Sequence, residues 1–389
     1  MTAHHDLEAA IAALGDMIAF PTVSSDSNLD LIAWAQTRLD ALGARTQMTM
    51  DKDGRKANLF ATIGPMVDGG VVLSGHTDVV PVEGQPWTSD PFAMRQADGR
   101  LYGRGACDMK GFIACALALA PRFAAAALAR PLHIALTYDE ETGCLGAPVL
   151  LEALAKSGPR PAICIVGEPT EMRVIEGHKA VHEYTTRFTG LEGHGSQPEL
   201  GVNAVEYAAR FVAELLNIKD ALRARAPVDG PFDPPWTTLN VGKIEGGVAH
   251  NVIAGRAAVE WEFRPISPED AAFVTSRVDA HLRQDLLPKM RAVHPGATAE
   301  TETIGEVIGL EPMTNAEAAA LADALTGGGP RGVVSFGTEA GLFQAQGIST
   351  VVCGPGSIAQ AHKPDEYVTR DQMAQCLAMI ERLIPRLQS

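Results

Sequence analysis

The sequence predicts an α/β fold: a mostly parallel sheet flanked by helices, with a smaller α+β domain inserted into it. Three observations carry this. Short apolar runs alternate with helical patterns over roughly the first 170 residues, as in a parallel sheet covered on both faces. Between residues 256 and 264, Ala257, Val259, Trp261 and Phe263 alternate with Arg256, Ala258, Glu260, Glu262 and Arg264. That pattern belongs to a sheet with one solvated face. The 389 residues also exceed a typical single domain. The expected division is a catalytic domain of residues 1–183 and 297–389, interrupted by an insert of residues 184–296.

Taken in order, Leu7, Ile11, Leu14 and Ile18 recur at helical spacing and Pro21 stops the helix. A second helix turns Leu31, Trp34, Ala35, Leu39 and Leu42 inward and ends at Gly43. Residues 58–63 and 71–74 read as strands, 111–120 as a helix, 132–138 as a strand, 148–154 as a helix and 162–166 as a strand. Residues 182–189 then alternate as a half-exposed strand. Residues 203–216 form an amphipathic helix with Val205, Ala209, Val212 and Leu216 on its apolar stripe. Residues 226–236 are Pro-rich and read as an excursion of the insert. Ser267-Pro268-Glu269-Asp270 is a helix start with a cap, a first-position proline and acids in the first turn. Residues 331–336 and 350–353 are strands, and Thr369 to Gln372 has capping-box form before the last helix.

Composition limits the function. A 46% hydrophobic content supports a large core. Lys+Arg 32 against Asp+Glu 47 gives −15, which disfavours nucleic acid and anionic membranes as partners. The six cysteines form no CxxC pair and read as reduced thiols of a cytoplasmic protein. The N-terminus lacks a basic start followed by an apolar run. The Ala-rich stretch 113–129 is interrupted by Pro121 and Arg122, so it reads as a buried helix rather than a membrane span.

The chemistry gathers at strand ends. Val71-Val72-Leu73-Ser74 is followed by Gly75 and then by His76-Thr77-Asp78. Ligands of open α/β sheets bind outside the carboxyl ends of the strands. His76 and Asp78, two apart on an extended chain, point the same way. One can bind a metal while the other holds the second imidazole nitrogen. Acids or histidines recur at Asp108, Glu140-Glu141, Glu168 and His362. Each alone is an ordinary polar turn; their recurrence along one sheet edge is what points to a site. A histidine/carboxylate set without cysteine suits catalytic zinc, cobalt or manganese rather than structural zinc. Three such residues bind one ion, and five with a shared carboxylate bind two. Two ions roughly 3.5–4 Å apart hold a water and lower its pKa toward about 7. Adjacent Glu140 and Glu141 then divide into one ligand and one general base.

Ser74-Gly75-His76-Thr77-Asp78-Val79-Val80-Pro81, Tyr102-Gly103-Arg104-Gly105 before Asp108-Met109-Lys110-Gly111, Asp139-Glu140-Glu141-Thr142-Gly143 and Gly167-Glu168-Pro169-Thr170 resemble the signatures of a dinuclear zinc family. It comprises acetylornithine deacetylases, succinyl-diaminopimelate desuccinylases, aminoacylases and glutamate carboxypeptidases. The resemblance spans essentially the whole chain. It implies two divalent ions, zinc with cobalt as the alternative. Asp108 would bridge them, His76 and Glu168 would complete one, and Glu141 and His362 the other. It further implies Glu140 as acid/base, Asp78 behind His76, and a cis Asp108–Met109 peptide.

Within the family, Phe336 to Gln344 and Gly354 to Glu366 resemble the acetylornithine deacetylases, which implies hydrolysis of N-acetyl-L-ornithine to ornithine and acetate. The alternatives are a desuccinylase, another N-acyl amino acid hydrolase or dipeptidase, or an inactive binding relative. Thr338 and Glu339 stand where desuccinylases carry an aspartate-containing segment. Glu339 is the candidate for the ornithine ammonium, or else a helix N-terminal acid. The insert resembles a lid and dimerisation domain, so a homodimer is implied. Gly193-His194-Gly195-Ser196 matches its histidine loop, with Gly195 where serine is usual. His194, supplied across the dimer, would hold the oxyanion. Asn251 and Arg264 would hold the substrate carboxylate, with a surface ion pair as the other reading of Arg264.

Overall fold

The computed structural model describes residues 2–156, 158–313 and 316–389. In chain order the main strands are β1 (Arg45–Met50), β2 (Ala57–Ile63), β3 (Val71–His76), β4 (Leu132–Thr137), β5 (Ile163–Pro169), β6 (Ile175–His178), β7 (Val181–Thr189), β8 (Thr238–Gly246), β9 (Arg256–Arg264), β10 (Thr298–Val307), β11 (Gly332–Val334) and β12 (Ser349–Gly354). The helices used below are α1 (Thr2–Ile18), α2 (Leu29–Asp40), α3 (Gly111–Ala125), α4 (Gly146–Lys156), α5 (Ala204–Ala224), α6 (Pro268–Ala280), α7 (Ala340–Ala345) and α8 (Arg370–Glu381).

The chain forms two compact units. The first holds Met1–Gly177, Leu310–Val333 and Thr338–Ser389; the second holds His178–Gly309 and Val334–Gly337. The insert is therefore wider than residues 184–296. β10 pairs with β7 from Thr298↔Thr189 to Val307↔Val181, so both strands belong to one sheet.

In the first unit an eight-stranded sheet runs β1-β2-β4-β3-β5-β12-β6-β11. Its centre is parallel: β3 pairs in parallel with β4 and β5, and β12 with β5. β1 and β2 join antiparallel at one side. β2, β3 and β4 are buried along their whole lengths, the burial of a sheet covered on both faces. Ile11, Leu14 and Ile18 of α1 and Leu31, Ala35 and Leu39 of α2 enter its core. α3 runs past Pro121 to Ala125 instead of stopping at Ala120. Pro121 forfeits one backbone hydrogen bond, to the Leu117 carbonyl, and Phe123, buried in the core beyond it, keeps the last turn packed. Among the described residues, no helix is long and apolar enough to cross a membrane.

In the second unit a four-stranded antiparallel sheet runs β8-β9-β7-β10. Ala257, Val259, Trp261 and Phe263 are buried as the alternation required. α5 covers this face, but with Ala204, Ala208, Phe211, Leu215, Ile218 and Leu222 buried. The stripe is thus displaced by one residue from the expected one, and Leu216 is 49% exposed. Phe211, the bulkiest apolar residue of the helix, decides the face, packing tilted against Phe188 and edge-on to Trp261. Ser267 accepts from Asp270 N at 3.3 Å, and Thr369 from Gln372 N at 3.1 Å, so both expected caps form.

His133 on β4 is fully buried. Its Nδ1 lies 3.0 Å from Thr62 Oγ1 and its ring stacks on Phe60 at 4.9 Å. Burial pushes it down to about 4. The unfolded histidine titrates near 6.5. Folded and unfolded chains therefore bind protons equally above about 6.5, and only the unfolded chain takes one up between there and about 4. Stability is present above this window and lost as pH falls through it, by about 2 kcal/mol at pH 5 from this group. We expect urea midpoints of His133→Gln to fall less steeply than those of the parent between pH 7 and 5. Parallel curves would exclude the effect.

Candidate metal centre

Three parallel strands deliver the first residues. His76 ends β3, Glu140 and Glu141 follow β4, and Glu168 lies near the end of β5. Gly167 makes that placement possible, because a Cβ there would sit 1.9 Å from the Phe112 ring of α3. Asp108 lies in an irregular turn over Ala106–Lys110, and the Asp108–Met109 peptide is cis, as the resemblance implied. His362 lies in a loop with φ 61°, and its side chain is 53% exposed, unlike the others.

The distances join these residues into two groups. His76 Nε2 is 3.0 Å from Asp108 Oδ1 and 3.6 Å from Glu168 Oε1. His362 Nε2 is 3.3 Å from Asp108 Oδ2 and 3.0 Å from Glu141 Oε2. One ligand atom from each of His76, Asp108 and Glu168 lies within 4.8 Å of the others, and the same holds for Asp108, Glu141 and His362. Asp108 is common to both, with a different oxygen facing each histidine.

Asp78 acts differently from the expectation. His76 Nδ1 is 2.9 Å from the Asp78 main-chain oxygen and 3.6 Å from its carboxylate. A carbonyl only accepts, so Nδ1 carries the proton. In the neutral ring this leaves the Nε2 lone pair facing Asp108 and Glu168. The Asp78 carboxylate instead accepts from Ser24 Oγ at 2.7 Å, Glu140 N at 3.1 Å and Glu141 N at 3.3 Å. It ties down the backbone that carries both glutamates.

The electrostatics describe a deficit of cations. Burial, together with Asp108 alongside, pushes Glu168 well above the usual carboxylate range. Burial does the same to Glu140, with His76 opposing and Glu141 and Asp108 adding. Burial and Asp108 push Glu141 up to about 7. Burial works against charge on His76, but Glu168, Asp108 and Glu140 outweigh it and hold the imidazole well above its ordinary value. The hydrogen bonds to Asp108 and Glu141 raise His362 to about 10. Glu168 Oε1 is buried without a hydrogen-bond partner among the described residues. Buried carboxylates facing only two imidazoles, one with an orphaned oxygen, fit divalent cations.

Glu339 follows the second of its two expected readings, the acid at a helix N-terminus, directly before α7. It is 1% exposed; one oxygen accepts from Ser74 Oγ at 2.6 Å and the other from Thr137 Oγ1 at 2.8 Å. A buried carboxylate held at both oxygens is not placed to meet an ammonium arriving from solvent. Thr338 is also fully buried and accepts from Ala340 N. The two donors to Glu339 come from Ser74 within β3 and Thr137 at the end of β4.

In the second unit, the short ladder of Gly193–His194 with Val252–Ile253 brings His194 and Asn251 together. Ser196 N donates to His194 Nδ1 at 3.2 Å, so the neutral ring carries its proton on Nε2. A Cβ on Gly195 would lie 2.9 Å from Asn251 backbone atoms, which explains glycine in this loop. Arg264 Nη2 donates to Glu262 Oε2 at 3.1 Å. Sequence reasoning missed Lys179, 1% exposed, which donates to the carbonyls of Pro234 and Trp236 and anchors the Pro-rich loop. Burial, then the adjacent Arg264, lowers it to about 8.

Peptidase family M20/M25/M40 matches residues 72–386. The chain belongs to this family. It is 37% identical over 383 residues to an acetylornithine deacetylase of Myxococcus xanthus, covering 97% of each chain. It is 35% identical over 376 residues to an acetylornithine deacetylase of Proteus mirabilis, covering 93% of this chain and 94% of that one. An M20 family metallo-carboxypeptidase from Sulfolobus solfataricus shares the fold, with a TM-score of 0.76 at 18% identity over 97% of this chain and 99% of that one.

Proposed function

We propose that the chain is a metal-dependent amidohydrolase that cleaves N-acetyl-L-ornithine to ornithine and acetate. The observation that carries the chemistry is the pair of ligand groups sharing Asp108. The names of the relatives, over nearly the full chain, support the substrate. His76, Asp108 and Glu168 would hold one ion; Asp108, Glu141 and His362 the other. Zinc suits this histidine and carboxylate set, with cobalt as the alternative. Bound there, the ions supply Lewis acidity toward the amide carbonyl and a water acidified toward neutral pH.

The side chains do the rest. Glu140, held by its backbone on Asp78, takes the proton of the attacking water and gives it to the leaving α-amine. Asp78 fixes the His76 tautomer through its main-chain oxygen. In a homodimer, His194 supplied by the partner subunit, with its ring proton on Nε2, would donate to the developing oxyanion. Arg264 and Asn251 would take the substrate carboxylate, the arginine through its planar fork. We read the second unit as the lid and dimerisation domain. Its edge strands β8 and β10 expose Ile244 at 51% and Ile304 at 48%. Six free, buried cysteines suit a reducing cytoplasm.

The burial of Glu339 favours one second reading: an N-acyl amino acid hydrolase indifferent to the ornithine ammonium. Amine release from N-acetyl-L-ornithine, N-succinyl-diaminopimelate and neutral N-acetyl amino acids separates the two. The proposed substrate should show the highest kcat/KM. Equal rates on neutral acetyl amino acids would establish the second reading, and preference for the succinyl compound would overturn both.

A further inference from the structure

His362 is the most exposed member of the centre and sits on a loop rather than a strand end. The sheet that fixes His76 does not fix it, so its position depends on what holds the loop. The His362 carbonyl accepts from Gln85 Nε2 at 3.1 Å. The Lys363 carbonyl accepts from Arg104 Nη1 at 3.3 Å. Asp365 Oδ1 accepts from Thr88 N at 3.0 Å and Thr88 Oγ1 at 2.9 Å.

These tethers lead back to Asp108. Gln85 Oε1 accepts from Trp87 Nε1 at 3.0 Å and from Arg104 Nη2 at 2.5 Å. Arg104, 1% exposed, donates through Nη1 to Glu366 Oε2 at 2.7 Å. Glu366 Oε1 accepts from Cys107 N at 2.9 Å and Asp108 N at 3.1 Å. One connected path therefore runs from the Asp108 backbone through Glu366, Arg104 and Gln85 to the His362 backbone.

We propose that Gln85 is the positioning residue of the outer ion site, setting His362 against Asp108 and Glu141. This rests on the reading that both ligand groups hold ions. The amide is required at this point because its oxygen accepts from two donors while its nitrogen donates to a carbonyl. A glutamate keeps the acceptors but turns a second oxygen toward the His362 carbonyl, which then loses its donor. Gln85 bonds the His362 backbone directly, whereas it reaches the Asp108 turn only through Arg104 and Glu366, and His76 and Glu168 are fixed by β3 and β5.

The test counts zinc bound to the full chain across a buffered zinc series, for the parent, Gln85→Glu and Gln85→Ala. The parent should hold two ions. Both variants should keep one at parental affinity and bind the second about 10–100-fold more weakly, the usual effect of losing an outer-shell partner. Urea midpoints of metal-free Gln85→Glu should match the parent, because a carboxylate keeps the acceptor for Arg104 and Trp87, so weaker binding of the second ion in that variant cannot come from unfolding. Variants that keep both ions at parental affinity, or weaken both equally, overturn this inference alone. A parent that binds no zinc overturns it together with the proposed function.

Discussion

Glu140→Gln is expected to lower kcat for amide hydrolysis by about 10²–10⁴, the range for loss of a positioned general base. The number of bound ions should not change, and KM should move little, because the group acts on the proton in flight and not on the bound substrate. The expectation follows from the division of labour between two adjacent glutamates. Glu141 reaches His362 at 3.0 Å and joins a ligand group with Asp108. Glu140 does not belong to either group, yet it lies among His76, Asp108 and Glu141. Its main-chain N–H is tied to Asp78, and its carboxylate accepts from Cys144 Sγ at 3.6 Å. Burial holds its carboxyl above the usual range, which favours a group that must both accept a proton and return it near neutral pH. Glutamine keeps the size and removes the proton acceptor. Near-parental kcat would deny Glu140 the role, and loss of an ion would make it a ligand.

Much of the centre was legible because its chemistry follows from strand ends. A short apolar run ended by glycine and then by histidine or acid says where a side chain must emerge, and His76, Glu141 and Glu168 emerge together. Asp108 and His362, each on irregular backbone, were legible through residue type and the family resemblance. What was not legible depends on backbone geometry. Two-residue spacing predicts that the Asp78 carboxylate backs His76. The chain there turns enough for the carbonyl to take that place, and the carboxylate moves to the glutamate backbone. The polar residues around Glu339 are far apart in sequence, with Ser74 265 positions away, so no local pattern marks it as buried. The α5 stripe failed for a different reason. Val205 and Val212 are only partly buried at the flank of the core, and the weight of one phenylalanine moved the buried face by a residue. The insert boundaries failed because β10 is a strand of threonines and glutamates, exposed over most of its length, and carries no apolar alternation.

The second large effect is that of metal removal, and it tests the central claim most directly. The protein is stripped with a chelator and then titrated with zinc, while bound ions and amine release from N-acetyl-L-ornithine are measured in the same samples. Lewis-acid stabilisation of several kcal/mol leaves with the ions, and each 1.4 kcal/mol is a factor of ten. Hydrolysis should therefore fall by about 10³-fold or more on stripping. It should return with added zinc, and uptake should saturate at two ions per chain. Metal-free protein that still hydrolyses at the original rate would contradict the account, as would protein that takes up no zinc or binds it without hydrolysing any N-acyl amino acid.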